Sequence, residues 1–281
     1  MSNEQKNNFD RLVRHAKKKF RTTLHGIRPS GIHGRFIAPR ILLNSVPKAG
    51  THLLEHALEQ FPLLRNAGRR TINCWDTISP ATLQTVYSIG KGAFLNAHLT
   101  AQPELFELIQ KRNIKVLFMI RDPRDIAVST FKYVSNIDLT HPLHSYFAAL
   151  PDDNARLLAT IHSIDGVNPS IDEMFKRFAP WLNQSNVLVC RFEDLIGPSG
   201  GGSKTLQLKT LQSISDFLDL EIPHSQLEHI ADRTFSSKSS TFRQGKSGTW
   251  RNYFNDSHIA SFKAIAGNEL IRYGYEQDLD W

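Results

Sequence analysis

Short apolar runs alternate with amphipathic stretches along most of this chain. ILLNSV (41–46), GAFLNAHL (92–99), VLFMI (116–120) and VLVCRF (187–192) are each too short and too uniformly apolar for surface helices, and read as strands buried on both faces. Between them lie helix candidates over 51–60, 103–112 (opened by Pro103), 124–133, 152–163, 170–183, 204–219 and 256–272. Strand followed by helix is the repeating order. It predicts an α/β domain with a central parallel sheet flanked by helices, whose ligands gather at the carboxyl ends of the strands. Two breaks stand out: a Gly/Ser loop, LIGPSGGGSK (195–204), and the segment 234–249, rich in Ser, Gly and basic residues but without apolar periodicity. Neither divides the chain, and no internal repeat is visible. The expected organisation is a basic N-terminal extension over 1–39 and one domain over 40–281.

Composition narrows this picture. A length of 281 residues with 40% hydrophobic content is enough to bury a full core. The two cysteines, Cys74 and Cys190, make no disulfide framework, and neither has the spaced neighbours of a zinc site. No run approaches about 20 apolar residues, and the polar start MSNEQKNNFDRLVRHAKKKF is unlike a secretory signal. A cytoplasmic protein with free thiols is expected. The formal charge of +7 indicates attraction for anions. Much of the excess lies in RLVRHAKKKFRTTLHGIR (11–28), which reads as a solvated basic face, a nucleic-acid arm or a membrane-surface helix giving peripheral contact. Nothing in the pattern specifies an oligomeric state.

Candidate chemistry enters where strands meet helices. In SVPKAGTHLL (45–54) an apolar run stops at a turn carrying Lys48, Gly50, Thr51 and His52, and an amphipathic helix follows at once. The unpaired N–H groups of such a turn and helix start make an oxyanion pocket, to which the lysine adds a full charge. The Walker A order of glycine before lysine is absent. Alone, the segment is equally a capped helix with an exposed lysine. RDPRDIAVS (121–129) repeats the strand-to-helix logic: Arg121 leaves a strand, with Asp122 or Asp125 as structural partners, and Ser129 follows eight residues on. TFRQGKSGTWRNYF (241–254) sets Arg243, Lys246 and Arg251 around Gly245 and Gly248, a cationic segment suited to phosphate.

These segments, in this order, resemble the sulfotransferases that use 3'-phosphoadenosine 5'-phosphosulfate (PAPS), especially the soluble cytosolic type, and the resemblance runs from about residue 40 to residue 255. SVPKAGTHLL is similar to the family's 5'-phosphosulfate loop, RDPRDIAVS to its 3'-phosphate segment, and FRQGKSGTWRNYF to its RKGxxGxWKNxF signature. The resemblance implies a P-loop nucleotide-kinase-like α/β fold and a sulfuryl transfer from PAPS to a hydroxyl or amine acceptor. It places Lys48, Ala49, Gly50, Thr51, His52 and Leu53 at the phosphosulfate loop, and Arg121, Ser129, Arg243, Gln244 and Gly245 at the 3'-phosphate. The chain departs from the pattern at Leu53, where the family has an adenine-stacking Trp, at His52 for a second Thr, and at Gln244 for a Lys. Phe192, Thr234 and Phe235 are the expected contacts to the base.

His98, in LNAHLT, matches the family's KTHLP segment, and a histidine there can take the proton that an attacking hydroxyl loses. His52 is its competitor for that role. Lys48 suits the leaving oxygen of a loose, in-line transfer, and no carboxylate constellation asks for a metal. The acceptor, a small molecule, sugar or lipid, would enter between 62–90 and 134–182, with Trp75, Tyr87, Tyr133, Phe147 and Trp181 as aromatic candidates that core packing also explains. No nucleic-acid partner is expected. A P-loop kinase and a non-catalytic anion binder remain the alternatives to a sulfotransferase.

Overall fold

The computed structural model describes residues 37–68, 70–235 and 246–281. Six strands, β1 (Arg40–Ser45), β2 (Arg65–Asn66), β3 (Ile72–Cys74), β4 (Ala93–Leu99), β5 (Ile114–Ile120) and β6 (Val187–Arg191), pair in the order β2-β4-β1-β5-β6, with β3 also pairing β4. Every pairing is parallel. Strands covered on both faces need apolar side chains in both directions, and Ile41, Leu42, Leu43, Val116, Leu117 and Phe118 are all fully buried. The register pairs Asn44 with Ala97 and Ser45 with Met119, so β4, β1 and β5 end side by side.

The helices are α1 (Thr51–Gln60), α2 (Pro80–Tyr87), α3 (Pro103–Lys111), α4 (Pro123–Asn136), α5 (Pro142–Ala148), α6 (Asp153–Ile161), α7 (Ile171–Phe178), α8 (Phe192–Leu195), α9 (Lys204–Phe217), α10 (His224–Thr234) and α11 (Asp256–Arg272). Several starts are written locally. Ser170 and Glu173 form a capping box on α7, and Pro occupies the first position of α2, α3, α4 and α5, where its missing N–H costs nothing. The expected helix over 170–183 instead breaks after Phe178 into a 3-10 turn, because Pro180 cannot donate within a continuing α-helix. The strand expected to reach Phe192 stops at Arg191, and Phe192 opens α8.

Two aromatics from the expected acceptor segments belong to the interior. Trp181 is fully buried and its indole N–H donates to the Leu99 carbonyl at 2.9 Å, and Phe147 is 3% exposed. Truncating a side chain such as Trp181 costs about 3–5 kcal/mol. Tyr87 is exposed at 43%, while Trp75 packs edge-on against Phe178. Among the described residues no helix is long and apolar enough to cross a membrane. The basic stretch 11–28 lies outside the described residues, and of the expected extension over 1–39 only residues 37–39 are described.

Candidate functional site

The turn after β1 is built under strain. Lys48 adopts the left-handed region at φ 66°, which costs a residue with a Cβ, and Gly50 follows at φ 102°. A Cβ on Gly50 would lie 2.5 Å from the Phe192 ring, so glycine is required by close approach as well as by conformation. Gly50 also caps α1 without a side chain to satisfy it. The Leu53 and Leu54 amides turn back to the Gly50 carbonyl at 2.9 and 3.3 Å, and the Thr51 and His52 amides at the start of α1 are left for a ligand. Ala49, fully buried, and Leu53, 3% exposed, anchor the turn to the core.

Lys48 points its ammonium at the face of Tyr133 in α4, 3.5 Å from the ring centroid. Burial and the neighbouring Arg121 lower its pKa to about 8, against a weaker opposing pull from Asp138. It has no ion pair among the described residues.

His98 stands at the end of β4 beside this turn. Its Nδ1 lies 2.9 Å from the Ser45 carbonyl and 3.0 Å from the Ser45 hydroxyl, which is 2.7 Å from the Thr51 hydroxyl. A carbonyl only accepts, so Nδ1 carries the hydrogen and Nε2 keeps its lone pair. Burial chiefly, then His52 and Lys48, push the imidazole down to about 4 despite the Ser45 bond. The ring is neutral at pH 7.

One strand over, Arg121 follows β5 directly. Its guanidinium donates to the Lys246 carbonyl at 3.0 Å, lies 3.6 Å from Asp125 and stacks 4.3 Å from the centre of the Phe192 ring. Asp125, and not Asp122, is its carboxylate partner; Asp122 pairs with Arg124 at 2.7 Å. Asp125 accepts from the Gly248 and Trp250 amides at 2.9 and 2.8 Å, fastening the 246–254 segment to α4. Arg124 is clasped between Trp250 and Trp281 and bonded to Glu276, which pins the C-terminal residues to the same loop. The buried Nε of Arg121 has no partner among the described residues, an open donor suited to an oxyanion.

Phe192 joins the two loops. At 2% exposure it fills the space between Gly50 and Arg121. Ser129 is half-buried on α4, eight residues beyond Arg121. Thr234 is fully buried at the end of α10, its hydroxyl turned to the Ile230 carbonyl at 2.8 Å, and Phe235 follows half-buried; α10 packs against α1. Arg243, Gln244 and Gly245 lie outside the described residues. The structure thus gathers Lys48, Thr51, His98 and Arg121 at adjoining strand ends. Two contributors escaped the sequence reading: Asp125 as the clasp for 248–250, and Glu55, which lies 2.8 Å from His52 Nδ1. The second had a local signal, a three-residue spacing that places both on one helix face. Among the described residues no group of three or more His, Cys, Asp or Glu side chains could hold a metal.

Comparison with known proteins gives the family and the fold. A family model described as the sulfotransferase domain matches residues 38–274. Mouse sulfotransferase 2A6 is 22% identical, covering 85% of this chain and 88% of its own, and rat sulfotransferase 2A1 is 23% identical, covering 80% and 82%. Among solved structures, mouse sulfotransferase SULT7A1, complexed with PAP, is similar with a TM-score of 0.61 at 22% identity over 83% of this chain and 84% of that one. Retinol dehydratase, in complex with androsterone and the inactive cofactor PAP, has a TM-score of 0.54 at 15% identity over 82% and 80%. The kinase and the non-catalytic binder find no support in these matches. With its family model spanning nearly the whole described domain and its anion-ready turn beside a histidine and an arginine on adjoining strand ends, the chain belongs to the sulfotransferase family.

Proposed function

We propose that this sulfotransferase moves the sulfuryl group of PAPS to a small-molecule hydroxyl or amine through the residues gathered at the ends of β4, β1 and β5. The observation that carries the reading is the direct bond from His98 to Ser45 at the root of the lysine turn, with Phe192 spacing that turn from Arg121. Lys48, the Ala49–Gly50 backbone, Thr51 and His52 hold the 5'-phosphosulfate; Arg121 and Ser129, with Arg243, Gln244 and Gly245, hold the 3'-phosphate. Leu53, Phe192, Thr234 and Phe235 form the base side, where Leu53 offers apolar contact in place of an indole.

In the transfer, the acceptor oxygen bonds to sulfur as the bond from sulfur to the phosphate oxygen breaks. Charge grows on that leaving oxygen, and Lys48, poorly hydrated in its site, is placed to neutralise it. The acceptor's proton goes to His98 Nε2. A base of low basicity serves because an oxygen already bonding to sulfur is strongly acidic. Sugars and lipids are within the acceptor range, and Ile137, Leu139 and Tyr146, all exposed, belong to the 134–182 segment read as the acceptor side. The free thiols Cys74 and Cys190 suit a cytoplasmic setting, with the basic N-terminal stretch available for peripheral membrane contact.

Incubation of the full chain with labelled PAPS and a panel of phenols, alcohols, sugars and glycolipids tests this. Isotope-resolved mass separates added sulfate from the phosphate that ATP and magnesium would supply. Sulfated product is expected from PAPS alone; phosphorylated product from ATP would contradict the reading.

A further inference from the structure

The phosphosulfate turn carries a histidine whose ring is tied down from behind. The buried Glu55 carboxylate, whose side chain is 5% exposed, holds His52 Nδ1 at 2.8 Å through one oxygen. Its other oxygen accepts from Asn66 Nδ2 in β2 at 2.5 Å, and the same nitrogen lies 3.5 Å from Glu59. Glu55 is thus fixed from the sheet, and it fixes the ring in turn. A carboxylate only accepts, so Nδ1 must carry a proton. In the neutral ring Nε2 would then be a bare lone pair, and it makes no hydrogen bond among the described residues. The imidazole is 46% exposed.

Phosphosulfate oxygens also only accept. A ring bridging Glu55 and such an oxygen needs hydrogen on both nitrogens. We propose that binding of PAPS draws a proton from solvent onto His52, converting it to an imidazolium that donates through Nδ1 to Glu55 and through Nε2 to the phosphosulfate. The proposal rests on the donor-site reading above. It makes His52 a proton-loaded donor, with Glu55 and Asn66 as positioning residues.

The groups facing His52 divide by sign. Glu55 on α1, with Glu59 behind Asn66, favours the cation, and so does the incoming ligand. Lys48 from the turn opposes it, and His98 from β4, whose own ring is neutral, adds no charge. Because the bound state holds the proton more tightly than the free state, the added affinity is present at low pH and lost as pH rises through the bound-state titration.

Calorimetry of the full chain with PAPS and no acceptor, in buffers of different ionisation enthalpy near about pH 7.5, counts protons taken up per ligand, and roughly half a proton or more is expected from His52. Lys48 and the 3'-phosphate also titrate, but their contributions are common to every variant. His52→Gln, on the helix surface, should bind PAPS with the uptake reduced by most of that amount. Glu55→Gln should reduce it as well, which a merely structural glutamate would not do at retained binding. Should Glu55→Gln fail to fold, His52→Gln decides alone. Equal uptake in wild type and His52→Gln overturns the proposal. Absence of PAPS binding in the wild type overturns the donor-site reading itself, and the proposal with it.

Discussion

Lys48 and Arg121 are cations one strand apart, and the fold treats them in opposite ways. Arg121 is tied to the Lys246 carbonyl, to Asp125 and to the Phe192 ring, so its direction is set before any ligand arrives. Lys48 sits on a strained backbone with an aromatic face for a neighbour and no ion pair among the described residues, and its pKa falls to about 8. A cation already shared with protein acceptors is an anchor. One left unpaired in a poorly hydrated place is poised for charge that develops during reaction, where electrostatic effects are strongest. Under the proposed assignment, the 3' end of the site is built for binding and the 5' end for chemistry.

The largest expected effect separates these roles. Lys48→Met should lower kcat by roughly 10²–10³ and leave cooperative unfolding intact. Arg121→Met should instead destabilise the fold by about 3–5 kcal/mol in denaturant titration, because it strips Asp125 of its charge partner. Equal stability losses in the two variants would break the comparison.

His98→Ala should come next, with kcat down by roughly 10² and affinity for the product 3'-phosphoadenosine 5'-phosphate (PAP) retained. Full activity in His98→Ala, with loss in His52→Ala, would transfer the base role to His52.

The pH profile sharpens the contrast. In the proposed mechanism Lys48 acts as its ammonium, which is lost as pH rises through its lowered pKa, so kcat/KM should decline through about 8. The neutral form of His98 persists down to about 4, so its acid limb should lie near that value. Lys48→Arg should remove the alkaline limb, since a guanidinium keeps its proton. Tyr133→Leu is the mildest change: losing a cation–π contact worth about 0.5–2 kcal/mol should alter kcat/KM by no more than tens of fold, with Tyr133→Phe near wild type.

Much of the sheet could be read from the chain because β1, β4 and β5 are buried on both faces, and such strands show as unbroken apolar runs. The short β2 and β3 at the sheet edge carry no such run, and α2, α5 and α10 were missed although Pro80, Pro142 and Pro223 mark their starts. Of the proposed site, Lys48, Gly50 and Arg121 could be picked out because a turn between strand and helix demands particular residues at fixed offsets. The Asp125 clasp joins residues 123 and 125 positions apart, and the Asn66 support of Glu55 crosses from β2 to α1. Contacts of that kind depend on tertiary packing, which no local pattern encodes.

The division between an anchoring and a reacting end depends on Arg121 recognising the 3'-phosphate. Calorimetry of PAP against ADP measures that directly, since ADP lacks this phosphate. PAP should bind more tightly, by about 1.5–3 kcal/mol for each charge-assisted hydrogen bond made to that phosphate, and Arg121→Ala should weaken PAP while leaving ADP nearly unchanged. Equal affinities for the two nucleotides, or an Arg121→Ala variant that weakens both alike, would contradict the account.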